Sequence, residues 1–179
     1  MLILTGASAS GKTVTALGLQ RKYPLIKAIT TTTRTIREGE KDGVDYFFLS
    51  KEEFIKKMND NFFVETTLYN SNYYGCGKDQ VSDNKVIVLD PNGLHSFLKL
   101  NDSHIVTFLL ICDEKIREER MHNRKDDPIK IKERLTNDKI DFDIKNIGKT
   151  DFVIDTSNKS IDEVIDLVYT QYIEELKKR

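Results

Sequence analysis

The stretch Gly6-Ala7-Ser8-Ala9-Ser10-Gly11-Lys12-Thr13 constrains this chain more than any other. It fits the pattern G-x-x-x-x-G-K-[ST], a glycine-bracketed loop whose backbone N–H groups converge on a phosphate. The mechanism needs a strand before the loop and a helix after it. Leu2-Ile3-Leu4 is a short apolar run that reads as a buried strand. Val14, Ala16, Leu17 and Leu19 predict a buried helical face running to about residue 23. The helix N-terminus adds the positive end of its dipole. A Gly/Ser-rich turn opening an ordinary helix is the bland alternative, and the order strand, loop, helix favours phosphate binding. On this reading residues 6–13 cradle the phosphates of ATP. Lys12 reaches the β- and γ-phosphates, and the Thr13 hydroxyl meets Mg2+.

The length of 179 residues suits one domain with small mobile parts. Lys and Arg number 28 against 29 Asp and Glu, a formal net charge of -1, which argues against a broad nucleic-acid-binding face. No apolar run approaches a membrane span. A strand starting at residue 2 leaves no room for a leader peptide. Two cysteines make no disulfide framework, and Cys112 is expected to be a buried small hydrophobe. The expected compartment is a reducing cytoplasm.

Along the chain, strands are expected at 27–32, 44–49, 61–68, 85–90, 104–111 and 151–154. Asn70-Ser71-Asn72 reads as a turn. Ser50/Glu53 and Ser160/Glu163 have the spacing of capping boxes, so helices should start there. Pro91-Asn92-Gly93 is expected to turn the chain, with a helix after it running to about residue 100. Asp113 and Asp127-Pro128 mark two more helix starts. Strands alternating with helices predict an α/β fold with a mostly parallel sheet. Residues 32–77 break that alternation and read as an insertion in which a second substrate sits.

Several residues beyond the loop suggest chemistry. Arg34 and Arg37, followed by Tyr46, Tyr73 and Tyr74, supply forked guanidinium donors and phenols suited to a phosphate monoester. The arginines alone would read as a solvated basic loop. Glu65 lies in a strand beside Phe62, Phe63 and Val64, where a carboxylate either needs a partner or points to solvent. Two adjacent N–H donors, as on the Watson–Crick edge of guanine, would satisfy it. Asp90 ends a buried strand, placed either to hold Mg2+, directly or through water, or to cap the next turn. Arg117, Arg120 and Arg124 share a helix face, with Arg134 on the next helix. Together they suit a basic flap over a triphosphate, although Arg117 by itself reads as solvated. His95, His104 and His122 show no ligand spacing.

These residues together resemble the guanylate kinase family. Thr32-Thr33-Arg34-Thr35-Ile36-Arg37-Glu38-Gly39-Glu40 resembles its T-T-R-x-x-R-x-G-E run, and Asp42-Gly43-Val44-Asp45-Tyr46 its D-G-x-D-Y. Glu65 and Asn72-Tyr73-Tyr74-Gly75 follow at the family's spacing, so the match spans essentially the whole chain. The resemblance implies a P-loop NTPase three-layer fold: core 1–30, 78–115 and 147–179, a GMP-binding insertion 31–77 and a helical lid about 116–146. It implies transfer of the ATP γ-phosphoryl to GMP, and to dGMP, with Mg2+, by a monomer or homodimer. Arg34, Arg37, Tyr46 and Tyr74 would hold the GMP phosphate. Glu65 would read the base with Thr30, Cys76 and Asp90 nearby, and Arg120, Arg124 and Arg134 would be the lid arginines. Positioning and charge neutralisation would do the catalysis, because the acceptor oxygen is already anionic.

This sequence departs from the pattern at five places. Cys76 stands where the family has Ser or Thr. Pro91-Asn92-Gly93 is shorter than D-x-D-x-Q-G, and Ala9 and Lys125 stand where glycine is common. The lid is about one residue short. The changes spare the phosphate machinery and touch the base site. Alternatives on the same fold are a kinase with another small phosphorylated acceptor and a non-catalytic phosphopeptide-binding module.

Overall fold

The structure is a computed structural model that describes residues 1–69 and 71–179. The chain opens with β1 (Leu2–Thr5), α1 (Lys12–Lys22), β2 (Ile26–Lys27) and β3 (Thr31–Thr32). Next come β4 (Phe47–Phe48), α2 (Lys51–Asn59), β5 (Phe63–Tyr69) and β6 (Asn72–Gly77). A 3-10 turn at Lys78–Gln80 leads to β7 (Lys85–Val88), α3 (Pro91–Leu98) and β8 (Val106–Ile111). The remainder holds α4 (Glu114–Asn123), α5 (Pro128–Asp141), α6 (Ile144–Ile147), β9 (Phe152–Asp155) and α7 (Ile161–Lys178).

Strand β1 is the centre of a five-stranded sheet in the order β2-β7-β1-β8-β9, in which every pairing is parallel. Its side chains alternate between two cores, as the period of two requires. Leu2 and Leu4 pack with Leu19 of α1 and with Val164, Val168 and Tyr172 of α7. Met1 and Ile3 face the other way, onto Leu94 and Phe97 of α3 and Ile147 of α6. A sheet covered on both faces explains why its strands are continuous apolar runs. A second, mixed sheet has the order β4-β3-β6-β5 and is built within residues 31–77. Cys76 of β6 and Val64 of β5 join the second core, so the small sheet is bound to the large one through apolar contact.

The expected strand 27–32 is two strands in two sheets. Ile26–Lys27 pairs with β7 and Thr31–Thr32 with β4 and β6, with buried Ala28 between them. The expected strand 44–49 shortens to Phe47–Phe48, because the chain before it is held as a turn by Gly43 N–H to the Tyr46 carbonyl at 2.8 Å. The face expected on α1 is rotated. Thr15, Ala16, Gly18 and Leu19 are buried, whereas Val14 and Leu17 are half exposed. Both capping boxes form as expected, at Ser50 and Ser160. Within the expected turn 70–72, Asn70 lies outside the described residues. No helix among the described residues is long and apolar enough to cross a membrane.

Candidate active site

The loop of residues 6–11 joins the end of β1 to α1. Gly6 has φ 146°, and a Cβ there would strike the Leu110 carbonyl; Gly11, with φ 104°, turns the chain into the helix. Both are conformations that L side chains rarely take. The first turn of α1 has no side-chain cap and no acidic residue. The five other helices of eight or more residues are each capped by a side chain, at Ser50, Asp90, Asp113, Asp127 and Ser160. Helix α1 therefore leaves its N-terminal N–H groups open to an anion.

Lys12 folds over the loop, its Nζ donating to the Gly6 carbonyl and, at 2.8 Å, to that of Ala7. Burial pulls its ammonium down to about 8. Arg120 donates to the Ala9 carbonyl at 3.2 Å and the Thr156 carbonyl at 3.0 Å. Lys12, Arg120, Arg124 and Lys159 surround a cavity of about 390 Å3 whose apolar wall includes Val14 and Ile161. Ala7 and Ser8 complete the loop outside that lining, while Ala9, Ser10, Gly11 and Thr13 belong to it. Arg134 does not reach the cavity. It shares Asp126 with Arg124, at 3.0 and 2.8 Å.

A second cluster lies in the small sheet. Arg34 donates to Glu40 at 2.7 Å and stands 5.6 Å over the Tyr46 ring. Its guanidinium also interacts with Tyr74, which meets Tyr46 edge to face at 6.2 Å. Glu40 also accepts from the Arg37 backbone N–H at 2.8 Å, while the Arg37 side chain is exposed. Tyr73 stacks on Phe54 at 5.3 Å, away from this group.

Glu65 is half-buried on β5, and its Oε1 accepts from the Cys76 N–H at 3.1 Å. Burial raises its carboxyl above the ordinary range, and the charge of Asp90 pushes the same way. The Cys76 thiol is fully buried in the second core, where burial pushes it up to about 12. Its main-chain N–H, not its sulfur, is therefore what meets Glu65. Thr30 accepts from Phe47 N–H at 2.9 Å through its carbonyl, which ties the strand entry to β4. Asp90 does not end a strand, because β7 stops at Val88. It is the N-cap of α3, with Oδ1 accepting from Gly93 N–H at 2.7 Å.

Arg117 is the clearest correction. It is buried, not solvated, and pairs with Asp138 at 2.7 Å. Asp138 also accepts from the Ser8 N–H at 2.9 Å. Sequence reasoning passed over Asp138, yet a signal existed. Asp138 falls on the apolar stripe of Ile131 and Leu135, where a carboxylate requires a partner. Cys112, expected buried, is only partly covered.

The chain is similar in sequence and in fold to known proteins. A guanylate kinase from Chlorobaculum tepidum is 31% identical over 97% of this chain and 92% of its own length. One from Mesomycoplasma hyopneumoniae is 32% identical over 92% of this chain and 91% of its own. The crystal structure of guanylate kinase from Anaplasma phagocytophilum shares the fold, with a TM-score of 0.68 at 24% identity, covering 98% of this chain and 85% of that one. A sequence profile of the family described as guanylate kinase matches residues 1–175, and the chain belongs to the guanylate kinase family.

Proposed function

We infer that this chain is an ATP-dependent guanylate kinase, transferring the γ-phosphoryl of ATP to GMP and leaving GDP and ADP. Family membership supports the activity, and Glu65 is the observation that carries the choice of base. It is a half-buried carboxylate with one oxygen on a backbone N–H and no cation among the groups that set its charge. Such a group calls for neutral donors. Guanine offers N1–H and N2–H2 side by side, whereas adenine has an acceptor at N1.

The roles of the residues are part of this proposal. The open N-terminus of α1 and residues 6–13 take the ATP phosphates, with Lys12, Arg120 and Arg124 neutralising charge as it moves. Arg34, Arg37, Tyr46 and Tyr74 hold the GMP phosphate. In this role Arg34 exchanges Glu40 for a phosphate oxygen, and its forked donors fit both. Thr30 and the Cys76 N–H flank the base. Arg134 acts on the triphosphate only if α5 moves, since it is held to Asp126 outside the cavity. The γ-phosphoryl meets an oxygen that is already anionic, so no general base is required and positioning dominates.

The site fits Mg2+. The Thr13 hydroxyl is exposed on the uncapped first turn of α1, and Asp90 uses only Oδ1 in its cap. Among the described residues no group of three or more His, Cys, Asp or Glu is placed to hold a metal by itself. Thr13 and Asp90 are the residues that would hold the ion, which would supply positive charge against the phosphates. Acceptance of dGMP, action as a monomer or homodimer, and a cytoplasmic setting are part of the same proposal. The two free thiols, Cys76 and Cys112, suit that setting.

Glu65→Gln tests the base assignment. The amide would set an N–H against guanine's donors, so kcat/KM for GMP should fall roughly tenfold to a hundredfold with little change in the KM for ATP. Equal losses for both substrates would remove Glu65 from the base site.

A further inference from the structure

We propose that Asp138 and Arg117 are positioning residues for the phosphate-binding loop, gripping Ser8 from helices α5 and α4 so that the loop is set before ATP arrives. The proposal rests on the reading of that loop as the ATP site. Every polar group of Ser8 is held by the pair. Its N–H donates to Asp138 Oδ2 at 2.9 Å, its hydroxyl donates to Oδ1 at 3.2 Å, and its carbonyl accepts from Arg117 Nη1 at 3.2 Å. The same Nη1 donates to Asp138 at 2.7 Å, and the two side chains are only 7% and 8% exposed.

The grip sits beside a strained residue. Ala9 has φ 59°, in the left-handed region, and such conformations persist only where the surroundings over-determine them. The surroundings here are complete. Arg120 holds the Ala9 carbonyl, Thr156 donates to the Ser10 carbonyl at 2.9 Å, and the Ala9 methyl packs on Met121, Ile131 and Leu135. Neither Asp138 nor Arg117 lines the cavity, so both reach it indirectly, through the loop they hold and through their opposed charges on Lys12. A loop fixed in advance lowers the ordering that binding must supply. A buried ion pair is weak as a stability device, since apolar residues of similar size often serve as well. Its multiple hydrogen bonds to one loop residue point to placement of that residue instead.

The test is calorimetric binding of ATP and, separately, of GMP to the whole chain. Asp138→Asn removes the buried negative charge that pairs with Arg117, and its amide can accept from the Ser8 N–H or from the Ser8 hydroxyl but not from both; it should weaken ATP binding about tenfold while GMP binding stays within twofold. The double variant Arg117→Met/Asp138→Leu should melt like the unaltered chain and yet keep the ATP defect. Ser8→Ala, which leaves both buried charges in place and removes one hydrogen bond to Asp138, should weaken ATP two- to threefold in the unaltered chain and not at all in the Asp138→Asn background. Unchanged ATP affinity in Asp138→Asn, or full affinity in the double variant, would reduce the pair to packing and overturn the grip alone. Failure of the unaltered chain to bind ATP would overturn the kinase reading and the grip with it.

Discussion

Two residues in left-handed backbone, Ala9 and Lys125, both have φ 59°. A side chain there crowds its own carbonyl at a cost of about 1 kcal/mol that glycine does not incur. The two differ in what they gain. Ala9 packs its methyl against Met121, Ile131 and Leu135, whereas Lys125 is exposed and follows α4 without packing into the core. Lys125→Gly should therefore stabilise the chain by about 1 kcal/mol, read as a higher urea midpoint at constant slope. Ala9→Gly should gain less, because the same change removes packing.

Glu65 makes a second prediction at this scale. A buried carboxyl raised above its ordinary range takes up its proton at a higher pH than an exposed one would. Only the ionised form offers guanine's two donors acceptors alone, because the protonated form turns one oxygen into a donor. GMP affinity is thus complete above the raised value and lost as pH falls through it. The phosphate of GMP also titrates near 6, so Glu65→Gln is the control: its pH profile should keep the phosphate limb and lack the other. Identical profiles would contradict the assignment. Glu65 was legible because a carboxylate among Phe62, Phe63 and Val64 demands an explanation. Arg117 was not, because its spacing with Arg120 and Arg124 suggested a shared solvated face while its partner lay 21 residues away on another helix.

At the scale of elements, helix starts were the most readable features. Ser50, Asp113, Asp127 and Ser160 cap helices where expected, because capping is a contact within three residues, whereas α3 starts at Pro91, inside the expected turn, with Asp90 as its cap. Short strands were the least readable. The β-branched run Ile29-Thr30-Thr31-Thr32 looks like one strand, but the transfer of the chain from one sheet to another after Ala28 is decided by tertiary contacts. Asp90 caps α3, and the proposed function adds a role toward Mg2+. Asn caps a helix about as well as Asp, so Asp90→Asn should leave the melting temperature unchanged. Loss of the charge should raise the Mg2+ concentration needed for half-maximal turnover several-fold. A drop in stability with no change in Mg2+ dependence would leave Asp90 a cap alone.

For the whole molecule, two separate constellations matter more than either one. The parallel sheet ends in a loop and an uncapped helix beside a cationic cavity, and the small sheet carries Arg34, Tyr46, Tyr74 and Glu65. The order of these motifs was visible in the sequence. The helical contact that binds Ser8 to Asp138 was not, since it joins residues 130 apart. One site for a nucleotide triphosphate and another for a monophosphate with a donor-rich base make a phosphotransferase that chooses by base. The direct test is ADP formation from Mg-ATP with GMP, dGMP, AMP, CMP, UMP and IMP in parallel, with Lys12→Ala as the inactive control. Turnover confined to GMP and dGMP, abolished in Lys12→Ala, is the predicted result; preference for another monophosphate, or turnover that survives Lys12→Ala, would contradict it.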